Sequence, residues 1–260
     1  MTSLISSSHF GVFFSLIVWR SDYSHVVAIG FDHFVLAFRW PVTFCENNAC
    51  AKLPPDFWTI HGLWPSKFNG NRVAYCSNIT FNENNIPQKT LEPMNKIYPN
   101  LYDTQSNVNF WSQQWRKHGT CANVTGTRNV SEYFTKVINL ASMYNIDQIL
   151  TDYNITKGNT FKIKVIEDGI KFKTNHLPSI QTTAGQKPCW LFEIRLCFNT
   201  TFNQIDCRKK KSPCTRGVLY PRQTQVKETS AHYRSSEVWA TSLFSFVSFL
   251  SILNGIIGQL

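Results

Sequence analysis

Residues 110–121 read Phe-Trp-Ser-Gln-Gln-Trp-Arg-Lys-His-Gly-Thr-Cys. As a helix, this stretch puts Trp111, Gln114 with Trp115, and His118 at i, i+3/i+4 and i+7, on one face. Lys117 adjoins that face, and Gly119 supplies a stop signal just past His118. His118 then sits near a helix C-terminus, where the macrodipole favours the imidazolium. A cation, a titratable ring and an amide share one rim, tied down next door by Cys121. The competing reading is an indole stripe in the core with a chance Lys-His pair at its edge. A second stretch decides between them. Residues 57–65, Phe-Trp-Thr-Ile-His-Gly-Leu-Trp-Pro, are strand-like up to His61 and then broken by Gly62 and Pro65.

The 260 residues suffice for one sizeable domain with appendages. The formal charge of +10 points to a polyanionic partner: nucleic acid, an acidic cell-wall polymer or a membrane surface. Charges in residues 1–30 cancel and residues 215–260 carry +2, so about +8 lies in residues 31–214. The rival reading is that part of this charge, notably Arg208 to Lys211, serves a protein partner or solubility. Eight cysteines, an even count, form no Cys-x-x-Cys, and their spacing to histidines does not suggest zinc. Five glycosylation sequons begin at Asn78, Asn123, Asn129, Asn154 and Asn199. Together with the even cysteines they argue for an oxidising, secretory compartment.

Along the chain, residues 10–19 form an apolar run of signal-peptide length, atypical because no Lys or Arg precedes it. Residues 1–30 are read as a signal peptide, with cleavage near Ala28 or Gly30. Residues 32–40 read as a strand, and residues 66–100 mainly as loop with one short helix. Residues 132–144 have helical periodicity, whereas residues 161–172 fit either a strand or a helix. Residues 189–198 are a strand. The domain is bounded at 31–218, followed by a polar linker over 219–237. The apolar, uncharged tail 238–260 is long enough to span a bilayer. That tail reads as a lipid-anchor attachment signal, a transmembrane helix or an extension.

His61 and His118, each followed by Gly in an aromatic frame, suit phosphoryl transfer on RNA without a metal or other cofactor. The attacking 2′-hydroxyl must lose a proton and the leaving 5′-oxygen must gain one, a task for imidazoles titrating near the working pH. Lys117 is a natural stabiliser for the charge that gathers on phosphorus. Trp64 offers a flat wall for a base or sugar of single-stranded RNA.

On these two motifs, and on Leu-Phe-Glu-Ile-Arg-Leu-Cys over 191–197, the chain resembles the ribonuclease T2 family, most of all its basic plant self-incompatibility members. The resemblance covers roughly residues 34–214 and implies an α+β fold, an antiparallel β-sheet flanked by several α-helices, stapled by disulfides. It implies His118 as general base, His61 as general acid and Lys117 as stabiliser of the pentacovalent phosphorus, with Trp64 against the substrate. It also implies the bridges Cys45–Cys50, Cys76–Cys121, Cys189–Cys214 and Cys197–Cys207. Many family members carry His-Glu where this chain has Gln113-Gln114. Gln113 then falls to phosphate binding and Gln114 to the catalytic set, although an amide can neither titrate nor carry charge. Arg39 stands where Gln is common and reads as a surface replacement.

Three functions follow as expectations. The first is a secreted, monomeric endoribonuclease cutting single-stranded RNA through a 2′,3′-cyclic phosphate. The second is a self-incompatibility protein that meets a protein partner through loops at roughly 66–90. The third is a catalytically silent relative that stores nitrogen or binds a polyanion. A membrane enters only if the tail is a genuine anchor.

Overall fold

A computed structural model of the chain describes residues 30–46, 48–50, 53–183, 189–208, 214 and 217–223. The signal peptide up to residue 29 and the apolar tail therefore lie outside the described residues, as do most of the linker and Lys209–Lys211 of the basic run. In chain order the elements are β1 (His33–Arg39), α1 (Pro41–Glu46), β2 (Thr59–Ser66), α2 (Gln88–Ile97), α3 (Asn107–Lys117) and α4 (Val130–Ser142). Then come α5 (Ile146–Asp152), β3 (Thr160–Phe161), α6 (Ile163–Thr174), β4 (Ser179–Thr182), β5 (Cys189–Phe198), β6 (Gln204–Ile205) and β7 (Val218–Leu219).

Local chemistry fixes the helix starts. Ser106, Asn129 and Asn145 cap α3, α4 and α5, each side-chain oxygen accepting a backbone N–H of the first turn. The ambiguous stretch after residue 160 resolves into the short β3 and then α6, which ends on Asn175 in the left-handed region at φ 60°.

The sheet runs β2-β1-β5-β7-β3, with β4 and β6 also pairing β5. The pairings are antiparallel except β5 with β7, which is parallel, so the α+β architecture holds with a mixed sheet. Alternation along β1 sends Phe34, Leu36 and Phe38 into the core, where Ile194, Leu196 and Phe198 of β5 join them. Trp111 and Trp115 of α3 and Tyr133, Phe134 and Val137 of α4 complete this cluster. The opposite alternation brings His33, Ala37 and Arg39 onto the other face of β1, the face on which the site is built.

Two expectations need correction. β2 does not stop at His61 but continues through Gly62 and Pro65 to Ser66. It ends the strand order, and an edge strand tolerates a proline that has no N–H to give. The packed domain also continues past residue 218. β7 pairs with β3 and β5, Tyr220 is buried, and Trp40 Nε1 donates to the Pro221 carbonyl at 2.9 Å. No helix among the described residues is long and apolar enough to cross a membrane.

Candidate active site

His61 reaches the site through an irregularity in β2. Gly62 pairs with Ala37 and Ile60 with Phe38, which leaves His61 as the extra residue of a β-bulge. A bulge bends its strand and re-aims one side chain. Gly62 is required beside it, because a Cβ there would lie 2.3 Å from Trp64 Nε1 and 2.4 Å from Gln114 Oε1. Those two groups are themselves bonded, Trp64 Nε1 donating to Gln114 Oε1 at 3.2 Å.

His118 arrives from the other side as the C-cap of α3, its N–H donating to the Gln114 carbonyl. The segment after it is braced by Cys76–Cys121 and by the Tyr75 N–H, which donates to the Lys117 carbonyl at 3.0 Å. All four bridges are formed between the pairs that the family resemblance implies. Both imidazoles meet the same indole. The ring centroid of Trp64 lies 5.0 Å from His61, edge-on, and 5.5 Å from His118.

The two histidines have different surroundings. His61 Nδ1 lies 2.5 Å from Glu193 Oε1, and Glu193 is only 1% exposed. Arg195 grips the other oxygen of that carboxylate from Nε and Nη2, at 2.9 and 2.6 Å. The Arg195 guanidinium also lies 5.2 Å from the Trp64 ring. Arg39 faces Glu193 across the β1–β5 ladder, with its Nε 3.8 Å from Oε1. Burial and then the Arg39 guanidinium push His61 below its ordinary pKa, against the pull of Glu193. His61 and the two guanidinium groups outweigh burial at Glu193 and hold that carboxyl below its usual range. Among the described residues, no carboxylate is paired with His118. Its buried Nδ1 has no hydrogen-bond partner, and burial, then Lys117, His61 and Arg72, push its pKa down to about 3. The expectation that a helix C-terminus would favour its imidazolium is therefore reversed.

The structure thus brings together His61, His118, Trp64 and Gln114, with Lys117 beside His118. It does not bring Gln113 in. That side chain is exposed and donates to Gln105 Oε1 at 3.2 Å, away from the imidazoles. Arg39 is not on the surface either. It is 8% exposed, its guanidinium lies 4.4 Å from the Phe44 ring, and its pKa is lowered to about 10 by burial. Glu193 and Arg195 were missed as site residues. The available signal was an i, i+2 Glu-Arg pair inside an otherwise apolar strand, which places two charges on one sheet face. Among the described residues, no three His, Cys, Asp or Glu side chains are grouped to hold a metal ion. Of the sequons, Asn78, Asn123, Asn129 and Asn154 are exposed and Asn199 is half-buried.

Comparison with known proteins gives consistent matches. The family model described as Ribonuclease T2 family matches residues 31–207. Ribonuclease Oy of Magallana gigas is 32% identical over 191 residues, covering 69% of this chain and 89% of its own. Ribonuclease S-6 of Pyrus pyrifolia is 32% identical over 223 residues, covering 80% and 94%. The crystal structure of RNase NT in complex with 5′-AMP superposes with a TM-score of 0.66 at 27% identity, covering 74% of this chain and 98% of that one.

Proposed function

The chain belongs to the ribonuclease T2 family, and on that premise we propose that it is a secreted endoribonuclease acting on single-stranded RNA with His61 and His118 as its proton carriers. The observation that carries this reading is the unequal pair of imidazoles against one indole ring. His118, among cations and with no acceptor for its buried nitrogen, rests neutral and is suited to act as base. His61, on the Glu193 carboxylate, is the ring whose protonated form has a counter-ion, which suits an acid. Glu193 also fixes which ring nitrogen faces the substrate.

In the reaction, His118 takes the proton of the 2′-hydroxyl as its oxygen bonds to phosphorus. The bond from phosphorus to the 5′-oxygen breaks, and His61 gives that oxygen a proton. A 2′,3′-cyclic phosphate and a free 5′-hydroxyl result. Water then opens the cyclic ester with the two rings in exchanged roles, as microscopic reversibility requires. Lys117 supplies fixed positive charge to the phosphorane, and Trp64 seats the sugar or base. The net charge suits a polyanionic substrate. The four disulfides and exposed sequons suit secretion directed by residues 1–30. The test is cleavage of single-stranded RNA by the purified protein with EDTA present. Release of 2′,3′-cyclic ends supports the reading, and no cleavage, or cleavage abolished by chelator, rejects it.

One observation favours the silent alternative: Gln114 is uncharged and is held by Trp64. A pH profile separates the two. Both imidazoles lie below the ordinary value of 6.5. The limbs of the kcat/KM profile should therefore fall on the acid side, with the rate already declining above about pH 4 as His61 loses its proton. Gln114→Glu adds a carboxylate near both rings and should move both limbs upward by on the order of one pH unit. A modest rate change with that shift marks a working enzyme. A large gain from near zero marks a silent one.

A further inference from the structure

A groove of about 630 Å³ opens beside Trp64 and His118 and runs along residues 65–73 to Cys197, Cys207 and Arg208. His118 lines it, and His61 does not. The base in this reaction acts on the nucleotide that carries the attacking 2′-hydroxyl, on the 5′ side of the broken bond. A groove entered from His118 therefore takes RNA upstream of the cut. Its inner end, at Trp64 and His118, belongs to the site already described.

The outer end is built separately. The Phe68 ring stacks on the buried ring of His33, with centroids 4.5 Å apart and planes 10° from parallel, yet Phe68 remains 47% exposed. One face of the ring is supported and the other is open. Its backbone is pinned on both sides: the Phe68 N–H donates to Asp32 at 2.7 Å, and its carbonyl accepts from the Arg208 guanidinium. The Gly70 N–H closes a turn onto the Lys67 carbonyl, with Gly70 at φ +83°, a conformation that disfavours other residues. Lys67 and Arg72 have no carboxylate within ion-pair distance among the described residues, and Arg195 is committed to Glu193. Asp32, the acid at this end, accepts the Phe68 amide. A supported, open aromatic face rimmed by cations is how single-stranded nucleic acid is held without base readout.

We propose that Phe68, supported by His33 and flanked by Lys67 and Arg208, is a subsite for the nucleotide upstream of the one whose 2′-hydroxyl attacks. The base stacks on the open face of Phe68 and its phosphate meets Lys67 and Arg208. The proposal rests on the ribonuclease reading but is tested apart from it. Affinity is measured for a 2′-deoxy dinucleotide and for the same dinucleotide extended by one nucleotide at its 5′ end, alongside kcat/KM for the matching ribonucleotides. The 5′ extension should tighten binding and raise kcat/KM by at least about tenfold, the scale of one base–aromatic stack. Phe68→Ala and Lys67→Gln should each remove most of that gain, leave dinucleotide cleavage unchanged, and leave any gain from a 3′ extension intact. If the 5′ extension gives no gain in binding, or Phe68→Ala keeps all of it, the subsite is rejected whatever the activity. If the binding gain is present but nothing is cleaved, the ribonuclease reading alone falls.

Discussion

His118→Ala should lower kcat/KM on single-stranded RNA by about 10²–10⁴-fold, the usual worth of a positioned general base. The unfolding temperature should change little, because His118 makes no side-chain hydrogen bond at its buried Nδ1 that truncation could break. Its backbone N–H, which closes α3 on the Gln114 carbonyl, survives the substitution. His61→Ala should cost a similar factor. The double variant should fall well short of the product of the two losses, because the rings act on one transition state and neither works alone. Rates from rapid-quench cleavage, with thermal melts of each variant, decide the matter. Activity of His118→Ala within tenfold of the parent would remove this ring from the mechanism.

Both motifs that carry the histidines are local, and that is why they were legible. The indole stripe of α3, the strand over 189–198 and the helix after residue 130 follow from periodicity within single elements. What escaped the sequence is long-range. Arg39 and Glu193 meet only because β1 and β5 pair, at positions 154 residues apart, and no local pattern encodes that register. Gly62 and Pro65 have the chemistry of strand breakers, but at a sheet edge the same residues make a bulge and a tolerated proline. The protonation of His118 was misjudged through magnitude. A helix terminus contributes about 0.3–1 kcal/mol, less than one pKa unit. Burial and three neighbouring positive or titratable groups outweigh it. Gln113 illustrates the reverse limit, since a motif position does not fix where an exposed side chain on the outer surface of a helix turns.

Glu193→Gln should damage stability and catalysis for separable reasons. The carboxylate is the counter-ion of Arg195, Arg39 and protonated His61, at 1% exposure. Removing one member of a buried charge cluster while leaving the others costs about 3–5 kcal/mol. The folded pKa of Glu193 is depressed, so its contribution is present above the unfolded carboxyl value and is lost as pH falls through the folded one. The stability gap between parent and variant should therefore be full at neutral pH and close in acid. Catalysis should fall on the order of 10²-fold near neutrality, because without the carboxylate His61 holds its proton less well. The high-pH limb of kcat/KM should accordingly move to lower pH. Adding Arg39→Gln separates the two effects. It removes the buried guanidinium that lacks a hydrogen bond at Nε, so the double variant should recover much of the lost melting temperature. The limb should move back by the part that Arg39 itself imposes on His61, the largest influence on that ring after burial, while the counter-ion of the protonated ring stays missing. If Glu193→Gln melts early but keeps the parental pH profile, Glu193 is a structural counter-ion and has no part in positioning or charging the acid.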